Sequence, residues 1–507
     1  MPSDIGTTQE RGEELTAFLD EWLRFYGPVS TEWLAGTLAL PVEELTPALD
    51  DLQDTQRVVQ GRLVVDGQED DLCDAENFEI LLRMARAAAV PSFAPLPVED
   101  LPRFLAQVQG ISAPGLDVDD LWARLEGLSG YPARAELWEE AILPARMRHY
   151  DGAWLDSLMQ EGNLHWIGIE KGRVAFCLED DLPLLPAREA KDDLRDLLPD
   201  IHGRYGLSAL AAKSGQPMER LVARLWEGVW SGIVSNDSAA ALRKGIQQDF
   251  QPPKLPQVDT TQRHVRRVPR GGFNRWTGAA PFAGNWYRLA GAQASRLRVE
   301  DDPDLLEDEE RAKDRARLLL DRYGLLFREL LQWETPSFQW PAVFRALRLM
   351  ELSGEVLGGI FFHGIPGLQF IAPRAFRTLQ RKLPDNVWWL NACDPASCCG
   401  LPLEGLRGTL PRRLPGNYIA YRGGTPVFII ERNGKALQFL TPADDPRLPE
   451  YLLPLHHLLN RRFQPLLHVT VEAINGENPC ASPYLDALSL AFNVVRDSNR
   501  VFVSRRL

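Results

Sequence analysis

Apolar positions recur along this chain at helical spacing, then give way to short strand-like runs, and the switch repeats several times. It is clearest between Arg311 and Pro373. A charged segment, Arg311–Tyr323, carries leucines at 318, 319 and 320 before Gly324. Leu325–Leu331 is a short apolar-periodic run. Trp340–Leu352 follows, with apolar residues at 343, 344, 347, 349 and 350 before Ser353-Gly354. Two strand-like runs, Val356–His363 and Leu368–Ile371, flank the turn residues Gly364-Ile365-Pro366-Gly367. Three helices followed by a hairpin is the order of a winged helix. The third helix predicted here carries Arg345 and Arg348 on its polar side, where such a fold meets DNA.

The same order is expected upstream. Glu13–Tyr26 reads as a helix ending at Gly27-Pro28, and Ser30 or Thr31 caps a second helix to about Leu38. Val42–Gln53 is a third, with apolar residues at 42, 45, 49 and 52, and Val58–Val65 is strand-like. This third helix bears Glu43, Glu44, Asp50 and Asp51, which phosphate would repel, so the unit reads as structural or as an interface. A second unit has helical runs at 101–108, 118–128, 136–143 and 153–160. Its hairpin, Leu164–Glu170 with Arg173–Leu178, turns at Lys171-Gly172. A third has runs at 190–198, 207–212 and 218–230, and Arg220 and Arg224 share one face of its last helix. Those two arginines either read DNA or are simply solvated.

Residues 248–280 change character, with Pro252, Pro253, Pro256, Pro269 and Gly271-Gly272, and predict a linker or arm. Arg263, Arg266, Arg267 and Arg270 form the densest basic cluster, followed by Phe273 and Trp276. Cations beside aromatic rings suit a phosphate backbone with stacked bases. The competing reading is an arm paired with the protein's own acidic surfaces. After the hairpin near 370, short runs at 386–391, 418–421, 427–431 and 436–440 predict strands, with Gly423-Gly424 and Asn433-Gly434 as tight turns. A small antiparallel barrel is the simplest closure. The end reads as a helix at 452–463, then strand, helix and strand at 467–474, 483–491 and 501–503.

Composition sharpens this picture in three ways. A net charge of −14 over 507 residues excludes a uniformly basic nucleic-acid binder, so any DNA surface is local. Six scattered cysteines suit a reducing, cytoplasmic setting rather than a disulfide scaffold. No run of about 18 apolar residues predicts a membrane span. Cys393, Cys398 and Cys399 lack the spacing of a zinc site, and adjacent His456 and His457 point apart on a helix, so neither metal nor other cofactor is expected.

Tyr323-Gly324, Phe327-Arg328-Glu329, Gly358–Phe361 and above all Gly367–Pro373 resemble the C-terminal region of bacterial large helicase-related (Lhr) proteins. Gly284–Leu289 resembles that family's short Trp motif. Cys393-Asp394-Pro395, Gly416–Gly423, Val471–Glu477 and Ser482-Pro483 continue the match, which covers roughly 280–507. The resemblance implies the tail of a DNA-repair helicase, distantly similar to AlkZ-type winged-helix glycosylases. It also implies a homo-oligomer, a tetramer, working with an Lhr helicase core in cis or in trans. The Walker pattern is absent, so ATP hydrolysis is not expected of this chain, which is either a whole protein or a piece of a longer helicase.

Glycosylase chemistry needs a carboxylate or amide beside a pocket for a flipped base. Gln369 keeps the first residue of the AlkZ Gln-x-Gln/Asp pattern, with Ile371 in its third place. Asp394 is the aspartate best matched to Lhr. Near the C-terminus, where some Lhr tails are associated with such a residue, Asp486 and Asp497 are the available aspartates, neither matched to a family motif, and of these Asp497 is taken as the candidate. Their bland readings are a packed wing residue and a turn-forming Asp-Pro for the first two.

The expectation is therefore an α+β chain of tandem winged helices, a small antiparallel β-barrel and a C-terminal α/β segment. The boundaries are 1–90, 91–186 and 187–247 for three winged helices, 248–305 for the basic arm, and 306–380 for the fourth winged helix. The barrel follows at 381–448 and the end segment at 449–507. Function is expected to be DNA binding and oligomerisation, with single-stranded or forked DNA as partner and a nucleoid-associated cytoplasmic location. The alternatives are a glycosylase for uracil or a damaged base, and a purely structural scaffold.

Overall fold

A computed structural model describes residues 8–65, 70–89, 93–185, 194–251, 283–289 and 305–506. They fall into two compact bodies, one within 1–93 with 348–355, the other within 94–347 and 356–507.

In the first body, helices Thr8–Leu23, Thr31–Leu38 and Val42–Asp54 pack through Leu19, Leu23, Leu34, Leu45, Leu49 and Leu52. The Ser30 hydroxyl caps the second helix, accepting from the Trp33 amide at 3.1 Å. Its sheet runs Val29–Ser30, Asp71–Asp74, Val58–Gly61, so the first strand pairs with the third. The strand at 71–74 and the pairing it makes were not legible in the apolar pattern. Glu43, Glu44, Asp50 and Asp51 are exposed.

That first–third–second strand order returns three times in the second body. It appears as Ala133–Arg134, Arg173–Leu178, Leu164–Glu170, and again as Leu325–Leu326, Gln369–Ile371, Leu357–Gly359. The remaining instance is Tyr205–Gly206, Asn285–Arg288, Val234–Asn236. Here the closing strand comes from the Trp-containing motif inside the 248–305 segment that the sequence reads as an arm. Trp286, fully buried, plants that strand in a core shared with Trp138, Trp166, Leu225 and Trp226. In the unit at 306–387, the helix Leu305–Tyr323 is followed by a short strand and two 3₁₀ turns at 330–333 and 336–338 rather than by a second α-helix. Gly324 makes this sharp exit, at φ +70°, with a Cβ there falling 2.9 Å from Ala375 Cβ.

The C-terminal region corrects one expectation, for it contains no closed barrel. Val387–Asn391, Tyr418–Arg422, Thr425–Glu431, Ala436–Phe439 and Ala473–Ile474 form one open five-stranded sheet. Its last strand is two residues long and joins in parallel, and it does not pair with Val387–Asn391. A strand that short offers too few ladder bonds to close a cylinder, which needs a continuous staggered register. The helix Leu453–Asn460 instead packs against the first two strands, burying Leu455, Leu458 and Leu459. The turn at 432–434 holds three consecutive positive φ values, 53°, 56° and 93°, as its Asn-Gly pair suggests. The end of the chain gains a strand, Asn493–Asp497, that hairpins with Arg500–Ser504 beside Val469–Val471.

Candidate nucleic-acid interface and buried polar centre

The helix Trp340–Ser353 turns Val343, Leu347 and Met350 inward, leaving its arginines on the other side. The Arg345 side chain is 87% exposed, with one distant carboxylate, Glu309, at 3.9 Å. Arg348 is half-buried between Glu79 at 3.9 Å and Glu351 at 3.8 Å, so its charge is already answered. On Met218–Trp230 the split is similar. Arg220 is exposed, while Arg224 makes two 2.9 Å hydrogen bonds to Asp196. Arg263, Arg266, Arg267, Arg270 and Trp276 lie outside the described residues.

Gln369 is fully buried in the wing of the 306–387 unit. Its Oε1 accepts from the Phe361 and Phe362 amides at 2.9 Å each, and its Nε2 donates to the Phe362 carbonyl at 2.9 Å. The side chain thus stitches the irregular hairpin where the strand ladder lapses, and its polar atoms are engaged.

Asp394 follows the strand Val387–Asn391 in a turn, but its carboxylate does not face water. Arg146 donates to both carboxylate oxygens at 2.8 Å, the two side chains being 1% and 0% exposed. Oδ1 also accepts from the Ala396 amide at 2.8 Å, and Arg146 reaches the Gln109 side chain at 2.6 Å and the Ile142 carbonyl at 2.8 Å. Arg146 closes a short helix just after a π-helical turn, Trp138–Ile142, that also sends Glu139 to Arg243 and Glu140 to Arg461. Nearby, Arg413 donates to the carbonyls of Ala392, Cys393, Asp394 and Ser397 and to the Tyr131 hydroxyl. Arg322 bonds Glu334, which also accepts from Tyr323 at 2.7 Å. Arg146 and Arg322 are each paired with a carboxylate, and Arg413 is held by backbone carbonyls and a hydroxyl, so each buried charge has hydrogen-bond partners. Burial raises the thiols of Cys393, Cys398 and Cys399, the last to about 11, away from the thiolate form.

Asp497 sits at the turn between Asn493–Asp497 and Arg500–Ser504, exposed, with Arg500 opposite it across the hairpin. It stands apart from the Asp394 cluster, and neither Asp497 nor Gln369 shares a hydrogen bond with that cluster. The sequence missed Arg146, Gln109, Arg413 and the Arg322–Glu334 pair. The one available signal was an arginine embedded in the apolar run Ala141–Met147.

Four units of the chain thus share the strand order of a winged helix, and on two of their helices an arginine, Arg345 or Arg220, stands exposed. Residues 97–179 and 306–387 each match a family described as large helicase-related protein, winged-helix domain. The chain thus carries two spans similar to Lhr winged-helix domains. It is 27% identical over 478 residues to a Mycolicibacterium smegmatis protein named Lhr helicase/probable uracil glycosylase, covering 86% of this chain and 30% of that one. It is also 27% identical over 504 residues to the Escherichia coli Lhr helicase/uracil glycosylase, covering 90% and 31%. The chain therefore spans less than a third of these relatives. The Streptomyces sahachiroi DNA glycosylase AlkZ aligns over 72% of this chain and 97% of its own, at 12% identity and a TM-score of 0.42. No helix among the described residues is long and apolar enough to cross a membrane.

Proposed function

We propose that this chain is the DNA-binding and assembly module of an Lhr-type repair helicase, without the ATPase motor. The observation that carries the reading is the Lhr-matched winged helix at 306–387, whose Arg345 projects almost fully into solvent on an acidic protein. A lone outward cation on the helix that follows the turn suits a phosphate contact, which positions DNA without reading its sequence. The paired Arg348 and Arg224 then serve the protein's own packing, while the basic cluster at 263–270 supplies further phosphate contacts. The partners are single-stranded or forked DNA and the helicase core, in cis or in trans, and the assembly is a homotetramer close to the nucleoid. Acidic exposed faces such as the Val42–Asp54 helix favour protein contacts over DNA.

The test is DNA affinity against salt. Arg345→Gln removes one phosphate contact, so the slope of log K against log salt falls by about 0.9 on duplex DNA. A wild-type protein whose affinity ignores salt refutes the reading.

The names of both relatives favour a second reading, excision of uracil. Of the three residues the sequence nominates, Asp497 has the exposure a flipped nucleotide requires, whereas Asp394 and Gln369 are engaged inside the protein.

A further inference from the structure

A groove of about 620 Å³ opens where the wing of the 97–179 unit meets the end of the helix Ala239–Gln247 and the loop at Gln464. Its rim carries Arg134, Lys171 and Arg173. Arg134 and Arg173 are direct cross-strand partners, so their cations stand side by side on neighbouring strands, with Lys171 at the turn next to them. Like charges set opposite one another cost stability unless something answers them. Each arginine has a partial answer, Glu136 at 2.6 Å for Arg134 and Glu170 at 2.9 Å for Arg173. Both pairs are solvent-exposed, and such pairs are weak enough for a phosphate to displace them. The lining holds these three cations with two carboxylates, Glu136 and Asp249, and Glu170 beside Arg173 brings the balance to even, a cationic rim on a chain of net charge −14.

Ile246, Asp249 and Gln464 complete the lining with one ring, Phe250. Phe250, half-buried, packs edge-on against Trp226 and Trp230 at 4.9 Å between ring centroids, which fixes its plane. Asp249, Phe250 and Gln464, all in the lining, hold left-handed φ values of 50°, 54° and 48°. Non-glycine residues in that region cost energy and cluster where a surface is shaped for a ligand.

We propose that this groove holds a segment of single-stranded nucleic acid, its phosphates on Arg134, Lys171 and Arg173 and a base against Phe250. Cations along one wall with a fixed ring on the other is the arrangement single-strand binders use. The assignment rests on the DNA-binding reading above and names a contact surface remote in sequence from Arg345.

The test uses the whole chain and a fluorescein-labelled oligothymidylate across a salt series. The Arg134→Gln/Lys171→Gln/Arg173→Gln variant alters exposed or half-exposed side chains only. Its salt slope is expected to fall by about 2, three contacts at about 0.7 each for a single strand. Phe250→Leu, which keeps an apolar filler beside the tryptophans, weakens binding roughly tenfold at every salt concentration and leaves the slope alone. A triple variant that folds and keeps the wild-type slope overturns the assignment while the DNA-binding reading stands. Wild-type protein that binds no DNA overturns both. Displacement of the oligonucleotide by equimolar inorganic phosphate marks a free-phosphate site and overturns the strand assignment, as does an equal loss on blunt duplex DNA.

Discussion

Replacing Asp394 by alanine separates a structural carboxylate from a chemical one. In the native protein it answers Arg146 with two 2.8 Å bonds, both side chains at 1% exposure or less. Removing one partner of a buried pair leaves the other charge in low dielectric, which typically costs about 3–5 kcal/mol. Arg146 keeps its bonds to Gln109 and the Ile142 carbonyl, so the expected loss is near the lower end, about 3 kcal/mol. Arg146→Met together with Asp394→Leu removes both charges, and the pair should be destabilised by less than the sum of Arg146→Met and Asp394→Leu singly. Urea unfolding followed by tryptophan fluorescence reads this, using the transition of the larger body because two bodies need not unfold as one. A shift below about 1 kcal/mol for Asp394→Ala, on the scale of a single surface contact, sinks the argument. So does an Asp394→Asn protein of native stability that has lost base excision, since that outcome gives the carboxylate a chemical role.

Gln369→Ala strands two amides and a carbonyl in the buried wing, and about 2–4 kcal/mol of stability should go with it, measured by the same unfolding assay. His457 packs on Trp389 with ring centroids 4.4 Å apart and Nε2 bonded to the Glu140 carbonyl, and burial lowers it from 6.5 to about 4. Because the unfolded ring takes its proton first, its contribution is full above about pH 6.5 and is lost as pH falls toward 4. His457→Gln should flatten the stability profile in that window, and an unchanged profile removes this histidine from the account. For excision, Asp497→Ala is expected to abolish abasic product on uracil-containing single-stranded DNA while oligonucleotide binding persists. Product undiminished in that variant ends the case for this residue.

The pattern of apolar residues determined most of the helices and wing strands, though not the runs at 325–331 and 194–198, which fold as a short strand with a 3₁₀ turn and as a turn. The helices at 101–108 and 218–230 fall where the spacing puts them, as does the hairpin at 164–178, because local periodicity and turn residues decide such elements. The motif residues near 367–373 fall inside the span that matches an Lhr winged-helix domain, whereas those near 284–289 lie outside both matched spans. What the pattern could not hold was pairing across distance. Asn285–Arg288 closes a sheet begun at Tyr205, and nothing in its four residues names that partner. An open sheet and a barrel share the same strands and turns, and only the two-residue parallel strand at 473–474 and the helix at 453–460 choose between them. The same holds for chemistry. Arg348, Arg224 and Asp394 look available as letters, yet carboxylates and guanidiniums occupy them, for Asp394 one brought from 248 residues away and for Arg348 one from still farther, Glu79. Charge type is written locally, whereas its neutralisation by burial and pairing is a property of tertiary contact, and that is why the folded chain alone decides which of these arginines and aspartates stay exposed to solvent.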